Sequence, residues 1–281
     1  MPITLGIRGH ELKSDTPNQL VEAFSKADFK CVHLAPTKSF PELLPADKKL
    51  NPGLSCYIYK LFEKFNMSLS VLGCYTNIID PDKERRQANI NLIKNYLYNS
   101  RFMGGIPVAT ETGNIISDGY SELNFKKEAF NLVVESVSEI CRYAESIGAI
   151  FAIEAGRNHP IYSIETLQML VDKVNSPNLK IVLDLSGYIY DGNVNEQEII
   201  LDRIISLFGS EIVAFHLKDF SANSQGIVPV PIGKGQLNIK NYLEKISKTN
   251  PNAFVTIEGI GFEAAVKGKE LVKDIMNRID E

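Results

Sequence analysis

The chain has few cysteines, no long apolar run and no excess of basic residues. Its 281 residues include four cysteines, and none forms the C-x-x-C pair typical of redox or zinc sites. We interpret all four as reduced, buried thiols. No apolar run approaches the roughly 18 residues that span a membrane, and the N-terminal MPITLGIRGHEL lacks the pattern of a signal peptide. We therefore expect a cytoplasmic protein with no membrane partner.

The charge balance argues against a nucleic-acid partner. The chain has 30 basic and 34 acidic residues, a net charge of −4 and a pI near 5.7, whereas nucleic-acid-binding proteins usually carry a basic stripe. Neither G-x-G-x-x-G after the first strand nor G-x-x-x-x-G-K-[ST] is present, so nucleotide-binding folds are disfavoured. A small-molecule substrate is expected, and a local basic pocket could still hold one phosphate.

Eight apolar segments predict eight buried strands. Most are continuous runs of Val, Ile, Leu, Phe and Ala, which is typical of strands covered on both faces of a parallel sheet. We place the strands at residues 3–8, 30–35, 68–75, 106–111, 149–154, 179–184, 212–217 and 253–258.

Amphipathic helices separate these strands. The clearest follows Asn124 and ends before Gly148, and others are predicted near 82–100, 195–208 and 262–279. Strict alternation implies a parallel sheet with right-handed crossovers. Eight units fit one closed (β/α)8 TIM barrel, which typically has about 250 residues; an open doubly wound sheet is the alternative.

The domain organisation follows from the absence of a linker. No segment rich in Gly, Pro or Ser divides the chain, so we expect one domain over residues 1–281. The irregular stretch 36–52 follows the second strand on the active-site side of a barrel and is a candidate lid.

Four predicted strands end in a residue that can bind a metal. IFAIEAG contains Glu154, IVLDLSG contains Asp184, VAFHLKD contains His216 and FVTIEGI contains Glu258. Parallel strands of a barrel converge at one mouth, so these side chains should meet there. One such residue could be purely structural, but four in succession favour a site for one divalent ion. Mn²⁺ is our first choice, and Mg²⁺, Co²⁺, Zn²⁺ and Fe²⁺ suit the same ligands.

Two glutamates among the four suggest proton transfer. Glu154 and Glu258 come from the fifth and eighth strands, which are not neighbours, so their carboxylates could flank a substrate. One could remove a proton next to a carbonyl while the other returns a proton on the opposite face. A metal on the substrate oxygens would stabilise the enediolate. The pattern thus favours an isomerase or epimerase, with Glu154 and Glu258 catalytic.

Further polar residues at the predicted mouth are candidates for substrate binding. Lys218 follows a metal ligand, although a lysine at a strand end is often only solvated. Lys234 lies between two glycines, in a loop that could hold an oxyanion. Arg8 ends the first strand, and Arg157 lies in the loop after the fifth. The candidates are His10, His33, Tyr75, Glu111, His159, Lys218 and Lys234.

Eight short motifs span nearly the whole chain in order. They are LGI (5–7), VLGCYTN (71–77), ATETG (109–113), AIEAG (152–156), VLD (182–184), HLKDF (216–220), PIGKGQLN (231–238) and TIEG (256–259). HLKD, a G-x-G loop and a strand ending in Glu are the most specific. Together the motifs resemble the xylose isomerase-like TIM barrels.

This resemblance implies a function and a division of roles. The group includes isomerases and epimerases of sugars and sugar phosphates, inosose dehydratases, hydroxypyruvate isomerases and endonuclease IV. The resemblance implies that Glu154, Asp184, His216 and Glu258 bind one divalent metal, and that the two glutamates are the acid/base pair of the epimerases. The implied substrate is a small carbohydrate.

The chain departs from its relatives in the substrate half of the site. Ketose 3-epimerases carry a histidine where this chain has Gly187, and the second strand of relatives often ends in Glu rather than His33. A dehydratase acting on a keto-inositol-type substrate therefore remains an alternative, as does a metal-free binding protein, although four intact ligands argue against the latter. A homo-oligomer is only the default expectation.

Two other relatives fit poorly. Endonuclease IV holds three zinc ions with a larger set of histidines, whereas this chain has four histidines in total and an acidic pI. Xylose isomerase itself binds two metals and uses tryptophan in its pocket, and this chain has no tryptophan.

Overall fold

The computed structural model describes residues 3–45, 49–116, 119–223 and 226–280. Eight parallel strands close into a barrel because the last of them pairs with the first. The barrel strands are β1 (Thr4–Arg8), β2 (Cys31–Leu34), β3 (Ser68–Gly73), β4 (Val108–Glu111), β5 (Phe151–Glu154), β6 (Leu179–Asp184), β7 (Ile212–Leu217) and β10 (Phe254–Ile257). The predicted (β/α)8 barrel is confirmed, and the open sheet is excluded.

A short hairpin interrupts the regular alternation. Strands β8 (Phe220–Asn223) and β9 (Gly226–Pro229) follow β7 and pair antiparallel with each other, outside the barrel. The sequence analysis did not predict this hairpin, because its strands have four residues each and lack a buried apolar run. Its second strand contributes two residues to the wall of the cavity described below.

Helices connect successive barrel strands. The predicted helices are present, although one starts two residues late because Val194–Glu196 forms a separate 3-10 turn. Gly148 ends the fifth helix at φ 66°, a left-handed conformation that glycine adopts without strain. The helices are α1 (Pro17–Lys26), α2 (Pro36–Ser39), α3 (Pro52–Lys64), α4 (Lys83–Ser100), α5 (Lys127–Ile147), α6 (Ile164–Val174), α7 (Gln197–Phe208), α8 (Ile239–Thr249) and α9 (Phe262–Asp280).

Three observations bear on the remaining expectations from the sequence. No helix in the described residues is long and apolar enough to cross a bilayer. Three of the cysteines are buried as expected, but Cys56 is partly exposed on α3. In the candidate lid, Phe40, Leu44 and Leu50 are buried in the core, whereas residues 41–43 are exposed. Residues 46–48 of that stretch lie outside the described residues.

The inside of the barrel explains where the predicted ligands point. Ala152, Val182 and Ala214 belong to a buried cluster on neighbouring strands. Each lies two positions before a predicted ligand, and residues two apart on a strand face the same side. The ligands of β5, β6 and β7 therefore point into the barrel, one layer above this cluster, where the strands end.

Candidate metal centre

Four buried side chains converge at the carboxyl ends of the strands. One ligand atom from each of Glu154, Asp184, His216 and Glu258 lies within 4.8 Å of the corresponding atoms of the others. None of the four residues is more than 5% exposed. The Nδ1 of His216 lies 3.0 Å from Oε1 of Glu154 and 3.3 Å from Oε2 of Glu258. We refer to these four residues as the tetrad.

Two basic side chains balance the carboxylates of the tetrad. The Nζ of Lys218 lies 2.6 Å from Oδ2 of Asp184 and also contacts Oε1 of Glu258. The Nη1 of Arg8 donates to the other oxygen, Oε2, of Glu258. Both oxygens of Glu258 are thus paired with cations. Burial alone would raise the pKa of this carboxyl, but the charges of Arg8, His216 and Lys218 hold it well below its usual value.

Glu154 and His216 form a buried ion pair. Burial opposes the charged form of each. The charge and hydrogen bond of His216 nevertheless lower the pKa of Glu154 to about 2. Against the same burial, the carboxylates of Glu258 and Glu154 raise the pKa of His216. Both groups are therefore charged at mildly acidic pH when no metal is bound.

A closed circuit of hydrogen bonds holds the imidazole of His216. Its Nε2 lies 2.9 Å from Nδ1 of His33. The Nε2 of His33 lies 3.1 Å from the hydroxyl of Tyr75, which donates to Oε2 of Glu154 at 3.1 Å. Glu154 then returns to His216 through its other oxygen.

The protons of this circuit can be assigned because each bond holds one. Tyr75 donates to Glu154, so its oxygen accepts from Nε2–H of His33. The Nδ1 of His33 is then an acceptor for Nε2–H of His216. Burial and the charge of Arg8 hold the pKa of His33 well below its usual value, which keeps His33 neutral. Neutral His216 would therefore present a lone pair on Nδ1, the atom that faces the carboxylates.

The donor set fits a single divalent ion. Three carboxylates and one imidazole nitrogen suit Mn²⁺, Mg²⁺, Fe²⁺, Co²⁺ or Zn²⁺, and no thiolate among the tetrad favours zinc. Histidine ligands usually donate their second nitrogen to a fixed acceptor, as His216 does to His33. An ion at the tetrad would compete with Lys218 for the oxygens of Asp184 and Glu258.

A cavity of about 190 Å³ opens above the tetrad. Of the predicted substrate residues, Glu111, His159 and Lys218 line it. The Nδ1 of His159 lies 2.9 Å from the carbonyl oxygen of Gly113, and its Nε2 lies 3.7 Å from Oε2 of Glu111. These three side chains can therefore reach a molecule bound over the tetrad.

Other predicted substrate residues have different surroundings. His33 is fully buried, and both of its ring nitrogens contact protein atoms, so it supports His216 rather than facing the cavity. Tyr75 belongs to the same circuit. His10 is partly buried beside Arg8, and burial with the charges of Arg8 and Lys38 lowers its pKa to about 4. Lys234 is exposed and lies in a separate groove with Phe262.

The glycine-rich loop has a structural partner instead of an oxyanion. Oδ2 of Asp219 accepts hydrogen bonds from the backbone nitrogens of Gly233 at 2.8 Å and Gly235 at 2.9 Å. Its Oδ1 accepts from Leu237 at 3.1 Å. A Cβ at residue 235 would lie 2.1 Å from Oδ1 of Asp219, so this close approach requires glycine. The amides that could have held an anion beside Lys234 are therefore already used.

Gly187 marks the departure from the ketose 3-epimerases. A Cβ at this position would lie 2.8 Å from the carbonyl oxygen of Ala155. A histidine therefore cannot occupy the position without a shift of the backbone, and this side of the cavity is walled by main chain. Ser186 before it donates through its hydroxyl and its amide to Oδ1 of Asp184, at 2.7 and 2.9 Å. A serine two residues after a strand-end aspartate was the sequence signal for this contact.

Two arginines, Arg8 and Arg157, make contacts at the site that the sequence did not indicate. Arg8 is only 7% exposed, and its guanidinium lies 4.7 Å above the ring of Tyr75. Arg157 lines the cavity, where it donates to the carbonyl oxygens of Ser186 and Ile227. Nothing in the local sequence distinguishes these arginines from solvated ones, because their partners come from distant strands.

Comparison with known proteins agrees with this architecture. An uncharacterised protein of Methanocaldococcus jannaschii is 27% identical over 161 residues, which cover 56% of this chain and 53% of that protein, so the match spans about half of the relative. The crystal structure of a D-tagatose 3-epimerase-like protein shares 18% identity at a TM-score of 0.78, covering 99% of this chain and 98% of that one.

A second solved structure and a family model complete the comparison. The IolI protein with a binding zinc atom shares 18% identity at a TM-score of 0.73, covering 99% of both chains. At such identities the solved structures establish the fold alone. The family model described as xylose isomerase-like TIM barrel matches residues 21–280. This chain belongs to the xylose isomerase-like TIM barrel family.

Proposed function

We propose that the chain is a divalent-metal-dependent isomerase or epimerase of a sugar or sugar phosphate, which removes a proton next to a carbonyl. The observation that carries the proposal is the tetrad, in which three carboxylates and an imidazole are buried together under a cavity. Perturbed ionisable groups in a cleft are typical of catalytic sites. The 3-epimerase-like neighbour supports the same reaction class.

Glu154 and Glu258 are the proposed proton-transfer groups. Both line the cavity, from β5 and from the end of β10. Their lowered pKa values keep them ionised at neutral pH, which is the form that accepts a proton. Both carboxylates contact Nδ1 of His216, at 3.0 and 3.3 Å, and in this proposal each acts on one face of the bound carbon.

Asp184 and His216 mainly hold the metal in this proposal. When bound, a divalent ion would polarise the substrate oxygens and stabilise the negative charge that develops as the proton leaves. Ser186 orients Asp184, and His33 orients His216. Lys218 and His159 line the cavity and are the proposed contacts to substrate oxygens. Mn²⁺ remains the first choice among the ions that fit.

A dehydratase is the second candidate. Loss of water from a keto-inositol-type substrate begins with the same proton removal, so the tetrad serves both reactions. The backbone around Gly187 leaves no room for the histidine that ketose 3-epimerases carry at this position. This difference favours the dehydratase. A DNA-repair endonuclease is the least supported, since the tetrad has one histidine.

Proton exchange in deuterated water tests the proposal and separates these candidates. The Mn²⁺-loaded protein is incubated with ketoses, ketose phosphates and inososes, and NMR reports deuterium incorporation and the product. We expect exchange with at least one class and its loss in Glu258→Gln. Glu135→Gln, on the exposed surface of α5, is the matched control. Exchange that survives in Glu258→Gln would remove Glu258 from proton transfer.

A further inference from the structure

Arg157 is a cavity cation whose hydrogen bonds within the described residues go to backbone carbonyl oxygens. Its Nη1 donates to the carbonyl oxygen of Ser186 at 3.0 Å and its Nη2 to that of Ile227 at 3.2 Å. In the described parts of the chain, no ion pair joins its guanidinium to a carboxylate. By contrast, the other two cations of the cavity wall, Arg8 and Lys218, are both paired with carboxylates of the tetrad.

The charge of Arg157 is also surplus once a metal is bound. The cavity wall carries the four carboxylates Glu111, Glu154, Asp184 and Glu258. Arg8 and Lys218 balance two of these charges, and a divalent ion at the tetrad would balance the other two. The charge of Arg157 then has no counterpart in the cavity wall, and a partly buried charge without a counter-ion is unfavourable.

Two hydrogen bonds hold the guanidinium of Arg157, and they use only two of its N–H groups. Guanidinium has five N–H groups and stays protonated at all physiological pH values. Two of these groups are used by the carbonyl oxygens, one on the turn after β6 and one on β9. The remaining three form no hydrogen bond with the described residues, and a guanidinium has the planar geometry that matches a carboxylate or phosphate. Burial lowers the pKa of Arg157, and the charge of Asp184 offsets this only in part; a bound anion would offset it further.

From these contacts we propose that Arg157 binds an anionic group of the substrate, a phosphate or a carboxylate, at the β5–β6 side of the cavity. This inference rests on the proposed function, because it takes the cavity above the tetrad as the substrate site. It narrows the substrate class to anionic sugars. It also assigns anion binding to Arg157 instead of Lys234. Lys234 lies in another groove, beside backbone amides that already donate to Asp219.

A purely structural role for Arg157 predicts a different outcome. By joining the turn at Ser186 to the hairpin at Ile227, the guanidinium could serve only to hold the cavity wall together. Its removal would then weaken every ligand by the same factor. If Arg157 binds an anion, its removal should weaken anionic ligands and leave neutral ones unchanged.

Calorimetric titration of the Mn²⁺-loaded protein distinguishes these roles. The probes are two matched pairs, D-fructose with D-fructose 6-phosphate and D-glucose with D-glucuronate, so the two anion chemistries are tested separately. We expect the wild type to bind at least one anionic member ten times or more tighter than its neutral partner. In Arg157→Met this preference should fall to less than threefold, and Arg157→Lys should keep part of it.

Arg203→Met is the matched control. Arg203 is an exposed arginine of α7 whose Nη1 lies 2.6 Å from Oε1 of Glu165, so its replacement should keep the wild-type preference. The proposal is overturned if the wild type shows no tenfold preference in either pair, if Arg157→Met retains one, or if Arg157→Met weakens neutral and anionic ligands equally. Failure of the proposed function would appear separately, as a protein that binds no Mn²⁺ or exchanges no C–H proton.

Discussion

The Nδ1 of His33 lies 2.9 Å from the Nε2 of His216, although 183 positions separate the two residues in the chain. His33 is fully buried and kept neutral, so it can accept the Nε2 proton of His216. This contact sets the tautomer of His216 and turns its Nδ1 toward Glu154 and Glu258. The second strand thus contributes to the candidate metal centre without supplying one of the tetrad residues.

Replacement of His33 should weaken metal binding. His33→Leu removes the acceptor for Nε2–H of His216, and loss of such outer partners typically costs about 10–100-fold in metal affinity. Titration with Mn²⁺, followed by electron paramagnetic resonance, measures the change. His159→Asn is the control, because His159 contacts Gly113 and Glu111 rather than the tetrad. Equal affinities in wild type and His33→Leu would contradict the assignment.

Replacement of Lys218 should have the opposite effect on metal affinity. The ammonium group contacts Asp184 and Glu258, two of the groups that would bind the ion. Lys218→Met removes this competitor, so we expect Mn²⁺ to bind more tightly, by roughly threefold to tenfold on the scale of one partly buried ion pair. The metal-free variant should unfold at a lower temperature, because its buried carboxylates lose a counter-ion. Weaker Mn²⁺ binding by Lys218→Met would show that the lysine assists the site instead.

Gly187 should tolerate no side chain. A methyl group there would lie 2.8 Å from the carbonyl oxygen of Ala155, and overpacking of this kind typically costs about 1–3 kcal/mol. We expect Gly187→Ala to lower the free energy of unfolding by that amount in chemical denaturation. Gly53→Ala, in the first turn of α3, is the control; its Cβ would lie 3.3 Å from Oδ1 of Asn51, so we expect it to cost less than Gly187→Ala. A fully stable Gly187→Ala would mean that the 3-epimerase histidine is absent for another reason.

His10 should make the metal-free protein less stable in mild acid. Its pKa is lowered to about 4 in the folded protein, from 6.5. Between these values the unfolded chain binds more protons, so the free energy of unfolding rises with pH over this window and falls as pH drops from 6.5 toward 4. The contribution is at most roughly 1 kcal/mol per pH unit, reduced by solvent because His10 is partly exposed.

Urea unfolding at several pH values, in the presence of a chelator, measures the slope of the free energy of unfolding against pH. His33, buried and neutral, contributes to this slope in the same direction. The contribution of His10 is therefore the difference in slope between wild type and His10→Asn. We expect the variant to have the shallower slope between pH 4 and 6.5. Identical slopes would mean that His10 titrates normally in the folded protein.

Much of the fold could be predicted because a buried strand requires a recognisable pattern of apolar residues. A strand covered on both faces needs a continuous apolar run, and each predicted run overlaps a strand of the barrel. Among the described strands, only β8 and β9 were missed, since they lie outside the core and have no such run; the short helix α2 was missed as well, in the stretch expected to be irregular. The tetrad could be predicted for the same reason, because Glu154, Asp184, His216 and Glu258 stand where buried runs end.

The sequence by itself determined where the barrel strands lie and end, and which ionisable side chains stand at those ends. The tertiary structure decided what each of these side chains contacts: Lys218 on Asp184, Arg8 on Glu258, and His33 behind His216. It also placed Lys234 apart from the cavity and Arg157 within it. Strand signals are local, spanning a few neighbouring residues. These pairings instead depend on how the closed barrel sets the register of strands that are far apart in the chain.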